Sequence, residues 1–129
     1  MVMTNTKKIG IYLDHAVAHL VEYIDGTRES KIIASQFTHE RMVQSLNRSE
    51  KVMHNMEDHE QAEYYKVIRD EIRSFDFILL FGPTEAKSEL HNILRADHQF
   101  ETAVIVVKHC DKMTEPEIHT YVREYFSIH

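Results

Sequence analysis

The sequence predicts an α/β domain built on a five-stranded mixed sheet with helices on both faces. Three observations carry that expectation. Residues Phe75 to Phe81 form the most apolar run in the chain, and an apolar run that does not alternate suits a strand buried on both faces, as in a parallel sheet. The chain opens instead on alternating residues and then reaches Asp25-Gly26, among the strongest short hairpin signals. Two strand-like stretches, 75–81 and 102–107, each lead into residues spaced at the helical period.

From Lys8 to Asp14, Ile9, Ile11 and Leu13 alternate with Gly10, Tyr12 and Asp14, the pattern of a strand with one better-buried face. Asp14-His15 makes a turn. Ala16 to Ile24 reads as a second strand, which Asp25-Gly26 pairs antiparallel with a third from about Arg28 to Phe37. The connection from Thr38 to Asn55 is poorly patterned: Met42, Val43 and Leu46 suggest one helical turn before polar residues intervene. It is expected to be a mobile connection or a loosely docked helix, with Met53 and Met56 as gap-fillers. Glu57 to Ser74 carries Tyr65, Ile68, Ile72 and Phe75 at helical spacing, with Glu57, Asp58 and Glu60 in the first turn, where the helix dipole favours negative charge.

Gly82-Pro83 ends the apolar strand and starts a helix, since Gly accepts a tight turn and Pro suits the first helical position. Ala86, Leu90, Ile93 and Leu94 then place one apolar stripe against the sheet. Thr102 to Val107 is β-branched and apolar, a second buried parallel strand, with Lys108 to Lys112 as its exit loop. Thr114-Glu115-Pro116-Glu117 is a capping box, and Ile118, Tyr121, Val122, Tyr125 and Phe126 mark the buried stripe of a terminal helix. The order is β-β-β-α-β-α-β-α. Right-handed crossovers place the first, fourth and fifth strands side by side and parallel, giving the strand order 3-2-1-4-5 of a ribonuclease H-like fold.

Composition bounds the function. The 129 residues make one domain, 1–129, long enough to fold without disulfide or metal. A single cysteine, Cys110, and a polar start from Met1 to Lys8 predict a cytoplasmic protein with no membrane segment. The net charge of −6 argues against broad nonspecific nucleic-acid binding. The ten histidines are scattered, without HExxH or paired CxxC spacing, so neither a metal nor another cofactor is expected.

Sites in open parallel sheets lie beyond the carboxyl ends of the strands. Here that mouth offers Gly82, Pro83, Thr84 and Glu85, which match neither a Walker loop nor a GxGxxG turn. A backbone nest for phosphate and a plain structural turn both fit. His109-Cys110-Asp111 sits at another strand exit without a nameable partner base. Tyr64-Tyr65 suits either a base-stacking platform or the wet edge of the core. The connection is locally basic, because Arg41, Arg48 and Lys51 face only Glu40 and Glu50, with His39 and His54 adding charge as pH falls.

Phe75 to Leu90, with its apolar strand, Gly/Pro turn and Lys/Glu-rich helix start, resembles the middle domain of the archaeal and eukaryotic class 1 translation release factors and of Pelota. Asp111 to Phe126, with Met-Thr-Glu-Pro-Glu before a Tyr-rich helix, is similar to bacterial release-factor-like proteins. The resemblance implies a ribonuclease H-like domain working in translation. Release factors carry Gly-Gly-Gln in the connection before the long helix. Here that connection contains only Gln44, between Val43 and Ser45, and no glycine, so peptidyl-tRNA hydrolysis is not expected.

Three functions follow as expectations. One is a noncatalytic factor that binds the ribosome or tRNA, with Arg41, Arg48 and Lys51 as phosphate contacts. Another is a protein-interaction or oligomerisation module, a homo-oligomer through the exposed edge of the third strand. The last is a metal-dependent nuclease, with Asp14 and either Glu57 or Asp58 as carboxylates, although Asp76 lies at the wrong end of its strand to be the third.

Overall fold

The computed structural model describes residues 6–24, 27–35 and 50–128, without the side chains of 27–29 and 50–60. The alternating start folds as β1 (Lys8–Leu13), followed by β2 (Val17–Ile24) and β3 (Thr27–Ala34). The long helix α1 spans Glu50–Glu71. Next come β4 (Phe77–Gly82), α2 (Ala86–Arg95), a short 3₁₀ turn at His98–Phe100, β5 (Val104–His109) and α3 (Glu115–Ile128).

The sheet order is β3-β2-β1-β4-β5, as the pattern predicts. β1 pairs antiparallel with β2 and β2 with β3, while β4 runs parallel to both β1 and β5. The apolar run is therefore an interior strand, but the middle position belongs to β1. Asp76 joins the two at their starts: its N–H and that of Phe77 donate to Lys7 O at 2.8 and 3.1 Å, and its Oδ2 accepts the Lys7 N–H at 2.9 Å.

Each face of the sheet has its own core. Ile9, Ile11, Leu13, Ile78 and Leu80 pack with Tyr65, Ile68 and Ile72 of α1 and Ala86, Leu90 and Leu94 of α2. On the other face Tyr12, Val21, Leu79 and Phe81 meet Ile118, Val122 and Phe126 of α3. β4 feeds both, which explains its lack of alternation. Gly10 lets α3 approach closely, since a Cβ there would lie 2.5 Å from Val122 Cγ2. Aromatic contacts fill the seam, with Phe81 stacked on Tyr121 at 4.5 Å and Phe77 edge-on to Phe126 at 5.3 Å.

The bounds of α1 and β5 differ from the pattern. α1 begins at Glu50 rather than Glu57, so the last part of the expected connection, 50–55, is helical. β5 runs Val104–His109 instead of 102–107, because its pairing with β4 from Phe77 to Gly82 sets its start. It is also less covered than a buried strand, with Ile105 buried but Val104, Lys108 and His109 exposed. The Asp25-Gly26 turn lies outside the described residues.

Candidate functional site at the carboxyl ends of the parallel strands

β1, β4 and β5 end together, bringing 13–15, 82–85 and 109–111 to one mouth. Gly82 sets its closeness: a Cβ on it would come within 2.2 Å of Leu13 O, which no side chain permits. The N–H of Cys110 donates to Gly82 O at 3.3 Å, tying the third strand end to the second.

One side of the mouth is a polar latch. Asp14 Oδ1 accepts the N–H groups of Ala16 at 2.8 Å and Val17 at 2.9 Å, so the Asp14 carboxylate shapes the turn. Tyr64 Oη donates to Asp14 O at 2.9 Å, and Tyr65 Oη donates to Glu89 Oε1 at 2.6 Å. The same oxygen lies 3.2 Å from His15 Nε2. Burial pushes both tyrosine hydroxyls well above the ordinary phenol range, reinforced by the charge of Asp14 for Tyr64 and by the Glu89 hydrogen bond for Tyr65. Both rings are buried, which removes them as a stacking platform and fits the wet edge of a core.

The other side holds Lys87, the one charged residue buried among those described. Its Nζ donates to Thr84 O at 2.6 Å and lies 3.3 Å from His109 Nδ1, while Thr84 Oγ1 accepts the Ala86 N–H at 3.2 Å. Burial raises the pKa of the neighbouring Cys110 thiol, with Lys87 pulling it down and Asp111 pushing it up. A thiol held protonated is a poor nucleophile. With Nδ1 directed at Lys87, His109 is placed as a hydrogen-bond partner for the amine.

Sequence pattern identified the mouth but missed the residues that connect it. Lys87 and Glu89 sit in a charged helix start that looks solvated, and only the adjacency of Lys87 to the Ala86, Leu90, Leu94 stripe signals its burial. His15 serves the latch rather than the turn, whose hydrogen bonds come from Asp14. Of the predicted phosphate contacts, Arg41 and Arg48 are outside the described residues, as is the side chain of Lys51 in α1. The carboxylates needed for nuclease chemistry do not converge in the described part, because Asp14 is engaged at the mouth and Asp76 at the opposite end of the sheet. Among the described residues no group of three or more His, Cys, Asp or Glu side chains could hold a metal ion, and no helix is long and apolar enough to cross a membrane.

Comparison with solved structures places this architecture beside factors of translation. The chain is similar to the Pelota protein of Thermoplasma acidophilum, with a TM-score of 0.57, 14% identity, and coverage of 91% of this chain and 32% of that one. It is similar to the archaeal translation termination factor aRF1, at a TM-score of 0.54 and 14% identity, covering 98% of this chain and 41% of that protein. It also matches Dom34 of S. cerevisiae, at 0.52 and 12% identity, over 97% of this chain and 38% of that one. The chain thus spans from 32% to 41% of the length of those proteins, and shares a fold with part of each. No family model and no curated protein sequence matches.

Proposed function

We propose that this chain is a noncatalytic translation-associated factor that binds the ribosome or tRNA and does not hydrolyse peptidyl-tRNA. The observation that carries this reading is the fold likeness, which runs over nearly the whole chain to Pelota, a translation termination factor and a termination-like factor of RNA quality control. In this reading the domain is the ribonuclease H-like counterpart of their middle domain and works in the cytoplasm. The chain's three glycines, Gly10, Gly26 and Gly82, are each isolated, so no Gly-Gly-Gln exists to position water on the ester. The contacts assigned to phosphate are Arg41, Arg48 and Lys51, in a locally basic stretch of an acidic chain. Such contacts fix position without reading sequence and weaken as salt rises.

Cosedimentation with ribosomes tests the assignment. The wild-type chain is expected to pellet with ribosomes at low salt and to be released as salt increases. Reversing the three charges (Arg41→Glu, Arg48→Glu, Lys51→Glu) abolishes pelleting if these residues carry the contact. Unchanged cosedimentation of the triple variant refutes it.

A further inference from the structure

β5 closes one side of the sheet, and among the described residues no strand lies beyond it. The N–H groups of Val104 and Cys110 donate toward β4, to Asp76 O at 2.9 Å and Gly82 O at 3.3 Å. A strand residue turns its N–H and C=O to the same side, and successive residues alternate. The even positions from 104 to 110 therefore face β4, while Ile105, Val107 and His109 direct their backbone groups outward. No described residue takes those groups.

Exposed edges are normally guarded by charge, proline or a bulge. β3 carries such a guard in Lys31, which pairs with Glu71 of α1. β5 carries a charge only near its end: it reads Val-Ile-Val-Val before Lys108, and Val104 is 51% exposed.

We propose that β5 is the docking edge for a second copy of this chain, the two strands pairing antiparallel about a two-fold axis at Val107 so that the sheets join. Symmetry selects the register. An axis normal to the sheet keeps each residue on its own face, and paired residues share a face, so the axis must pass through a residue. With Val107 on it, Ile105, Val107 and His109 of one copy meet His109, Val107 and Ile105 of the other, and every outward backbone group is used. With Val106 on it, His109 would face Ala103, whose N–H already donates to Phe100 O at 3.2 Å. In the Val107 register Val106 lies opposite Lys108, Val104 opposite Cys110, and Thr102 opposite Lys112, so no like charges face each other. The strand is its own complement, which points to a second copy as the occupant. This inference is independent of the ribosome reading.

The native cysteine supplies the test. In Val104→Cys the new thiol lies across from Cys110 of the second copy. Oxidised glutathione takes up the two hydrogens released as each disulfide forms. A covalent dimer with a 104-to-110 link by peptide mapping is expected, lost when Cys110→Ser is added. Sedimentation velocity should show the mass of the unmodified chain rising with concentration. Val107→Pro removes the axial N–H at an outward edge position, where proline is tolerated, and should weaken association about tenfold or more. A chain monomeric at every concentration overturns the proposal. So does association that produces no 104-to-110 link, and that outcome decides the matter even if the proline variant fails to fold.

Discussion

Single residues carry more of this fold than their chemistry suggests. Gly82 is the tightest point: its Cα lies against the backbone of Leu13, and the place where a Cβ would sit is within 2.2 Å of a carbonyl oxygen that cannot move aside like a side-chain tip. Gly82→Ala is expected to destabilise the domain by about 3 kcal/mol, the scale of overpacking a closed site. Urea titration checks this through a lower midpoint at unchanged slope. A loss within about 0.5 kcal/mol, typical of an ordinary surface position, would show that the strand ends are not pressed together as described. Lys87 and Glu89 make the complementary point. Their roles depend on Thr84, His109, His15 and Tyr65, and the partners of Glu89 lie 24 and 74 positions away. Local pattern holds no record of such pairings.

At the scale of elements, most of the architecture is legible because burial and period coincide. β4 contributes to two cores and loses its alternation, whereas β1 is braced by helices on both faces yet keeps Gly10 beneath α3, so its period survives. The capping box before α3 also forms as the spacing predicts. Glu117 Oε1 accepts the Thr114 N–H at 2.8 Å and lies 3.1 Å from Thr114 Oγ1, and Thr114 Oγ1 accepts the Glu117 N–H at 3.4 Å. What the pattern does not give are the ends of α1 and β5. An apolar stripe marks where a helix packs and not where its polar turns begin, and the start of β5 is fixed by its neighbour.

The cap has a pH signature. The Thr114 backbone N–H, then its hydroxyl, hold the Glu117 carboxyl below its ordinary value of 4.5. A carboxyl depressed in the folded state contributes stability above its unfolded pKa and loses it as pH falls through the folded value. Glu117→Gln should therefore lower stability near neutrality and flatten its decline in acid, as followed by thermal unfolding at stepped pH. Parallel curves for the two proteins would contradict the cap.

For the whole molecule, a sheet of five strands with a separate core on each face leaves two ends and two edges for function. The mouth is a closed polar network that holds three strand ends and two helices in register, and among the described residues the β5 edge is open. The mouth by itself names no partner. The fold is shared with parts of Pelota, aRF1 and Dom34, and the proposed role rests on that likeness together with the charges of Arg41, Arg48 and Lys51. A function is less legible than a fold because a backbone arrangement is written in periodicity, while the few charges of the proposed contact resemble those of any solvated loop. The most direct measurement is affinity capture of the tagged chain from native lysate at low and high salt, with identification of the RNA and protein retained. Ribosomal RNA and ribosomal proteins at low salt, depleted at high salt, are the predicted result. A capture at low salt that contains no ribosomal component would contradict the account.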